Sequence, residues 1–332
     1  MFPLSKYRYT FPMLFRLSIG LVVAQMILDD ANELTLWINW LFAGVFSAGI
    51  WHVTKRYHLC GIYDGKSFTI SWPILSASLN FSLCHFPNTE HFYIGILSLM
   101  AMLVALALLL SVWQEEQSAG RHMLVGIIIG LVSTLLPHAL MWLFLLPLVT
   151  YHMRSWSLRN IFSTLTGAVL GIWIVYCSLF LREELVGGYT EGSMWMQSGQ
   201  IIRNYAYIIN FESYEQLIEG FGLWHWLFLG LIALLVLVYS ISAMFLNVGN
   251  SIRAGASISL VSTLSLFLVV ISFFDIAHLS IYLSLLSFFL CIQLTIHQAN
   301  LRTSLNEWWT LIVIISMMAL TALPLFINFK GL

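Results

Sequence analysis

Charged side chains in this chain fall almost entirely in the gaps between long apolar runs. That segregation decides what the chain can fold into. Asp, Glu, Lys and Arg make up 9% of 332 residues, and 60% are apolar or aromatic. A water-soluble surface needs a charged share of roughly a quarter, so this composition excludes a soluble globular domain. A bilayer crossing needs ~20 apolar residues in a helix. The ~10-residue alternation of an outer-membrane barrel is missing. Backbone groups in hydrocarbon must bond internally, which leaves helices as the spanning element. The expected fold is therefore all-α: a polytopic integral membrane protein, forming one transmembrane domain over residues 1–332.

The apolar runs fall near 12–28, 35–53, 67–85, 93–113, 123–136, 139–153, 161–181, 223–246, 255–274, 277–296 and 306–327, which predicts about eleven spans. Pro137 divides the 123–153 block, because proline disfavours helix at the residue before it. Asp275 divides the 255–296 block. The first run ends at Asp29-Asp30-Ala31-Asn32-Glu33 with no small-x-small cleavage site, so it reads as a retained helix and not a signal peptide.

Topology follows from the positive residues. With a cytoplasmic N-terminus, Lys6, Arg8, Arg16, Lys55, Arg56, Lys66, Arg121, Arg154, Arg159, Arg253 and Arg302 lie inside. Arg182, Arg203 and Lys330 are then the external remainder of the 14 basic residues. Most acids fall outside, with Asp64, Glu115, Glu116 and Glu307 the inner exceptions. Merging 123–153 alone would throw Arg154 and Arg159 to the wrong face. The expectation is a bacterial inner-membrane protein with an external C-terminus. Its largest non-membrane element is the loop 182–222, rich in aromatic and acidic residues, with a short amphipathic stretch at 212–218. Trp37, Trp40, Trp224, Trp226, Trp308 and Trp309 sit near run ends and read as interfacial anchors.

Polar groups at membrane depth are costly, so each is a candidate site. Under this topology Asp29, Asp30, His85, Glu90, His91, His138, His225, Asp275 and His278 gather on the external side. Carboxylates with imidazoles can bind a metal or share acid–base work. They also cap helices and meet water, the commoner role of such residues in short turns. No HExxH, no His pair at i,i+4 and no phosphate-binding glycine loop is present, so the sequence assigns no metal and no cofactor. Cys60, Cys84, Cys177 and Cys291 are dispersed in apolar surroundings and read as packing residues. On the inner side, His52, Lys55, Arg56 and His58 form one basic corner, and Arg154 with Arg159 another. Both fit topology determinants near anionic head groups.

The order Met123–Gly130, Leu135-Leu-Pro-His138, Trp142–Val149 and Tyr151–Arg159 resembles a family of multi-pass membrane proteins of Bacteroidota with no assigned activity. Ile276–Ile281 and the closing Trp308–Leu325 helix are similar to it as well. More distantly, the layout resembles the membrane region of GT-C type lipid-dependent glycosyltransferases. That likeness implies a polyprenyl-phosphate-linked sugar as substrate and an acid of the first external loop at work on it. Asp29 or Asp30 holds the matching place, and Arg182 or Arg203 would meet the donor phosphate.

Three functions are therefore in view. The first is a non-catalytic component of envelope biogenesis that binds membrane lipids and envelope-assembly proteins. The second is a glycosyltransferase or polymerase with Asp29 and Asp30 catalytic and Arg182, Arg203, His138, Asp275 and His278 binding substrate. The third is a small-solute or lipid transporter with a polar path along the Ser/Asn-rich third helix, beside Ser76 and Asn80. Nucleic acid is not an expected partner of any of them.

Overall fold

The computed structural model describes residues 7–28, 33–57, 59, 66–86, 89–115, 117–186, 222–246, 252–275, 278–300 and 304–330. Those residues form eleven α-helices and one 3-10 segment, with no strand among them. The helices are α1 (Tyr7–Leu28), α2 (Glu33–Arg56), α3 (Lys66–His85), α4 (Thr89–Ser111), α5 (Ala119–Ser133), α6 (Leu146–His152), α7 (Leu158–Val186), α8 (Leu223–Leu246), α9 (Ile252–Phe274), α10 (Leu279–Asn300) and α11 (Ser304–Lys330). The 3-10 segment, Pro137–Leu145, precedes α6.

Six helices contain stretches long and apolar enough to cross a bilayer: Leu34–Arg56, Tyr93–Ser111, Leu158–Ser178, Leu223–Ala243, Ile252–Phe274 and Leu279–Ala299. Shorter apolar helices lie at Phe15–Met26, Ala119–Ser133, Ala139–His152 and Trp308–Ala322. The chain is a multi-pass, all-helical membrane protein, and its outward apolar side chains meet lipid.

The chain forms two compact units. Unit 1 comprises Met1–Leu103, Phe221–Ser272 and Leu279–Leu332, and unit 2 comprises Val104–Gly220 and Phe273–His278.

In unit 1, α10 is the axis. Its span is buried along its whole length, against α2, α3, α8 and α11. α3 and α10 run antiparallel: Ser82 Oγ donates to the Ser280 carbonyl (3.4 Å), Ser78 Oγ to that of Leu283 (3.3 Å), and Cys291 Sγ to that of Ser71 (3.8 Å). Serines at this seam let two backbones come close and bond across it. Trp40 and Trp72 lock α1, α2 and α3 together. Trp72 Nε1 donates to the Trp40 carbonyl (3.1 Å), Trp40 Nε1 to Ser18 Oγ (3.3 Å), and Phe15 lies edge-on to both indoles. Trp40 is thus a packing residue between helices, where the sequence suggested an interfacial anchor.

Unit 2 is organised by two GxxxG motifs. Gly126 and Gly130 of α5 face Gly167 and Gly171 of α7 so closely that a methyl group on any of them would overlap a backbone carbonyl of the other helix. Lipid tails are as apolar as leucine, so membrane helices associate through such close packing and not by escape from water.

The block after α5 departs from expectation. Residues 139–153 were read as one span, but the chain forms the 3-10 segment followed by a seven-residue α6. Two prolines cause this. Pro137 holds Leu136 extended, at φ −128° and ψ 87°, which ends α5. Pro147 has no N–H to give the Leu143 carbonyl and would clash with it in an α-helix. Between them the backbone takes the tighter turn. The two connections of unit 2 then meet at one end, because the Gln114 N–H donates to the Met153 carbonyl (3.0 Å) and Ser163 Oγ donates to that of Ala119. α5 and the 3-10/α6 limb therefore form a hairpin that leaves and returns at the same end of unit 2. α7 also runs further than its apolar stretch, through Arg182 to Val186, so Arg182 begins no loop.

Candidate functional site

The expected gathering of acids and imidazoles is resolved only in parts. Asp29, Asp30 and Arg203 lie outside the described residues, as does the rest of the 187–221 loop. Arg182 lies in the last turns of α7 and His138 is the second residue of the 3-10 segment. Glu90 and His91 occupy the first turn of α4.

Asp275 and His278 do meet. His278 Nδ1 lies 2.8 Å from Asp275 Oδ1, three residues apart in the turn between α9 and α10. Asp275 is 4% exposed. A buried carboxyl holding one ring nitrogen fixes the imidazole's orientation and tautomer, leaving Nε2 as the working atom. In unit 1, His225 Nε2 donates to the His85 carbonyl (2.8 Å) and His85 Nε2 to that of Thr321 (3.3 Å). Phe81, Phe86 and Phe228 surround them, and Phe81 stacks on Phe228 at 4.0 Å. A backbone carbonyl can only accept, so both imidazoles carry their proton on Nε2 and tie α3 to α8 and α11. Among the described residues no three His, Cys, Asp or Glu side chains are grouped to hold a metal.

The more unusual chemistry is neutral. Unit 1 buries amides and hydroxyls in two distinct ways. In the first, every donor is used. Gln293 Nε2 donates to Ser240 Oγ and Ser265 Oγ, each at 2.6 Å. Ser240 donates to Ser265 (3.1 Å), which donates to the Ser262 carbonyl (2.8 Å). This triangle joins α8, α9 and α10, and interhelical bonds of this kind stabilise by ~0.6–2 kcal/mol.

In the second, the polar atoms are spare. Gln25, Asn39 and Asn80 are fully buried, and neither the oxygen nor the nitrogen of any of the three amides has a hydrogen-bond partner among the described residues. Ser76 Oγ, one turn from Asn80 on the same face of α3, is also unpartnered. Their places coincide along the bundle. Gln25 lies in the last turn of α1, Asn39 in the second turn of α2, and Asn80 in the second turn from the end of α3. α1, α2 and α3 touch one another in up–down–up succession, so all three amides belong to the same end of that trio. An unpaired buried polar group costs about 1–3 kcal/mol. These amides therefore add no cohesion through the described residues, which offer them no partner.

Sequence reasoning named Ser76 and Asn80 but missed Gln25, Asn39 and Gln293. The signal was present: Gln25 and Asn39 are each the lone amide of an apolar helix, and Gln293 lies mid-helix in another.

The chain matches no protein-family model, no curated protein and no solved structure.

Proposed function

We propose that the protein is a bacterial inner-membrane carrier that holds a small, neutral polar solute, or the neutral polar part of a lipid, within the helices of unit 1. The observation that carries this is the set of unpartnered buried amides at Gln25, Asn39 and Asn80, with Ser76 beside them. A bundle needing only cohesion would use its interior amide donors as Gln293 Nε2 is used, whereas Gln25, Asn39 and Asn80 leave both atoms of the amide without a partner among the described residues; Gln293 leaves only its oxygen so. Amides left over provide donors and acceptors for a guest that returns the desolvation cost on binding. The guest is neutral because the buried polar residues of unit 1, among those described, are Ser, Thr, Asn and Gln, with no Lys, Arg, Asp or Glu.

The test is swelling of proteoliposomes containing the full-length protein in glycerol, urea and sorbitol. Wild-type vesicles are expected to swell faster than empty ones in at least one solute, and Asn80→Leu vesicles are not. Swelling equal to that of empty vesicles in all three would remove this reading and favour a non-catalytic component of envelope biogenesis.

A second reading rests on the Asp275–His278 pair. A carboxyl-oriented imidazole suits acid–base work in a transferase using a polyprenyl-phosphate-linked sugar; the sequence independently offers Asp29 and Asp30 as acids for such a reaction. Its test is sugar transfer by purified protein: loss in Asp275→Asn and in Asp29→Asn/Asp30→Asn at unchanged folding supports it, and retention sinks it.

A further inference from the structure

The end of unit 2 where its two connections meet carries positive charge that no described acidic side chain answers. Arg154 and Arg159 are exposed, and neither has an ion-pair partner among the described residues. Glu115 is already bonded to Arg121 at 2.7 Å, which also donates to the Ser111 carbonyl. α7 begins at Leu158 with no acid in its first turn, and Arg159 stands in that turn. A helix N-terminus carries roughly half a positive charge, so arginine there opposes the dipole. Both guanidiniums and the dipole therefore present like charge at one place.

The corner is also rigid. Arg154 has φ 51° and Gln114 has φ 58°, left-handed values that non-glycine residues rarely hold. They are kept by the Gln114 N–H to Met153 carbonyl bond and by the Ser155 N–H to Thr150 carbonyl bond, both 3.0 Å. Asn160 Nδ2 donates to the Ser155 carbonyl at 2.8 Å. The Arg154 guanidinium rests 5.7 Å from the centre of the Trp113 ring. Around these cations Tyr151, Trp156, Leu158 and Phe162 are exposed. Tyr and Trp at such a border mark head-group depth, and Leu158 and Phe162 supply an apolar track along α7.

We propose that this corner binds the phosphate of an anionic phospholipid between Arg154 and Arg159, with its acyl chains along Leu158 and Phe162. The lipid is favoured over free phosphate because the cations sit within an exposed aromatic and apolar rim that a soluble anion would not use. Charge complementarity chooses its class: two uncompensated guanidiniums and a helix N-terminus call for an anion, and a zwitterionic head group would bring its own cation against them.

Native mass spectrometry of the full-length protein in mild detergent tests this, with phosphatidylglycerol and phosphatidylcholine as competing probes. Wild type is expected to retain phosphatidylglycerol in preference. Each arginine is worth roughly 5-fold at a membrane surface, so Arg154→Gln/Arg159→Gln should weaken retention about 25-fold. Equal retention of the two lipids overturns the proposal. So does a double variant that keeps phosphatidylglycerol as wild type does, and so does displacement by inorganic phosphate, which would make the ligand a soluble anion. If the double variant does not fold, the salt dependence of wild-type retention decides: a fall with rising ionic strength supports the site, and salt independence rejects it.

Discussion

Gly130 on α5 lies directly against the backbone of Ala168 on α7, so close that a Cβ built on Gly130 would overlap the Ala168 carbonyl oxygen. Gly126 meets Thr164 in the same way, and Gly167 and Gly171 return the contact against Met123 and Ile127. The obstruction is backbone, which cannot rotate aside. Gly130→Ala should therefore destabilise by about 1–3 kcal/mol, the usual cost of overpacking, and Gly130→Leu by more. Gly20 and Gly230 are the controls, since nothing lies within 4 Å of a Cβ at either. Alanine there should be neutral or stabilising by up to ~1 kcal/mol, through helix propensity. Denaturation in mixed micelles, followed by far-UV circular dichroism, measures both. An equal response at Gly130 and Gly230 would show that α5 and α7 are not in backbone contact.

The two classes of buried amide predict opposite responses. Gln293→Leu removes two donated bonds at the junction of α8, α9 and α10 and should cost about 1–2 kcal/mol. Asn80→Leu removes an amide that bonds nothing described. It should be neutral or stabilising, since it lifts a desolvation penalty of ~1–3 kcal/mol, yet it should end solute passage. Thermal melts of the two variants beside the swelling assay check this. A destabilised Asn80→Leu would mean that Asn80 holds the fold together.

The helices were legible because charge and apolar runs alternate so cleanly. Ten of the eleven expected runs correspond each to one described helix. The exception, 139–153, hides Pro147 within an unbroken apolar string. Hydropathy is blind to a missing N–H, and only the backbone argument finds the 3-10 segment. The close approach of α5 and α7 was visible as Gly126-x-x-x-Gly130 and Gly167-x-x-x-Gly171, but spacing does not say which helix a GxxxG face meets. The site was read less well. Titratable residues drew attention to the turns, whereas Gln25 and Asn39 are uncharged and lie within helices. Whether a buried amide is paired depends on neighbours far away in sequence, which one chain read alone cannot supply.

Asp275 and His278 make a third case. The pair is short, and Asp275 is nearly out of reach of solvent. His278→Ala leaves a buried carboxyl without this partner and should cost about 1–3 kcal/mol. Asp275→Asn keeps an oxygen able to accept from the ring and should cost less. Chemical denaturation of both variants gives the order. The reverse order would show that Asp275 is held chiefly by its other contacts and that His278 is incidental to it.

The hairpin of unit 2 makes the last prediction, on topology. The bond between Gln114 and Met153 puts the connections before α5 and before α7 at one end. Reporters inserted after Gln117 and after Ser157 should therefore report the same compartment, and that compartment should be the cytosol if Arg121, Arg154 and Arg159 obey the positive-inside rule. Depth is a separate question. Fifteen residues of α5 reach only ~22 Å. The return limb, nine 3-10 residues and seven α residues, reaches ~28 Å because each 3-10 residue rises ~2 Å. That is close to the ~30 Å of hydrocarbon, so the 3-10 turn lets sixteen residues do the work of about nineteen in an α-helix. With the native cysteines replaced, His138→Cys should react with a membrane-impermeant maleimide added outside intact cells. Labelling only after the cells are opened would make the hairpin re-entrant and not spanning; the eleven expected crossings would fall by two, which leaves the expected external C-terminus unchanged.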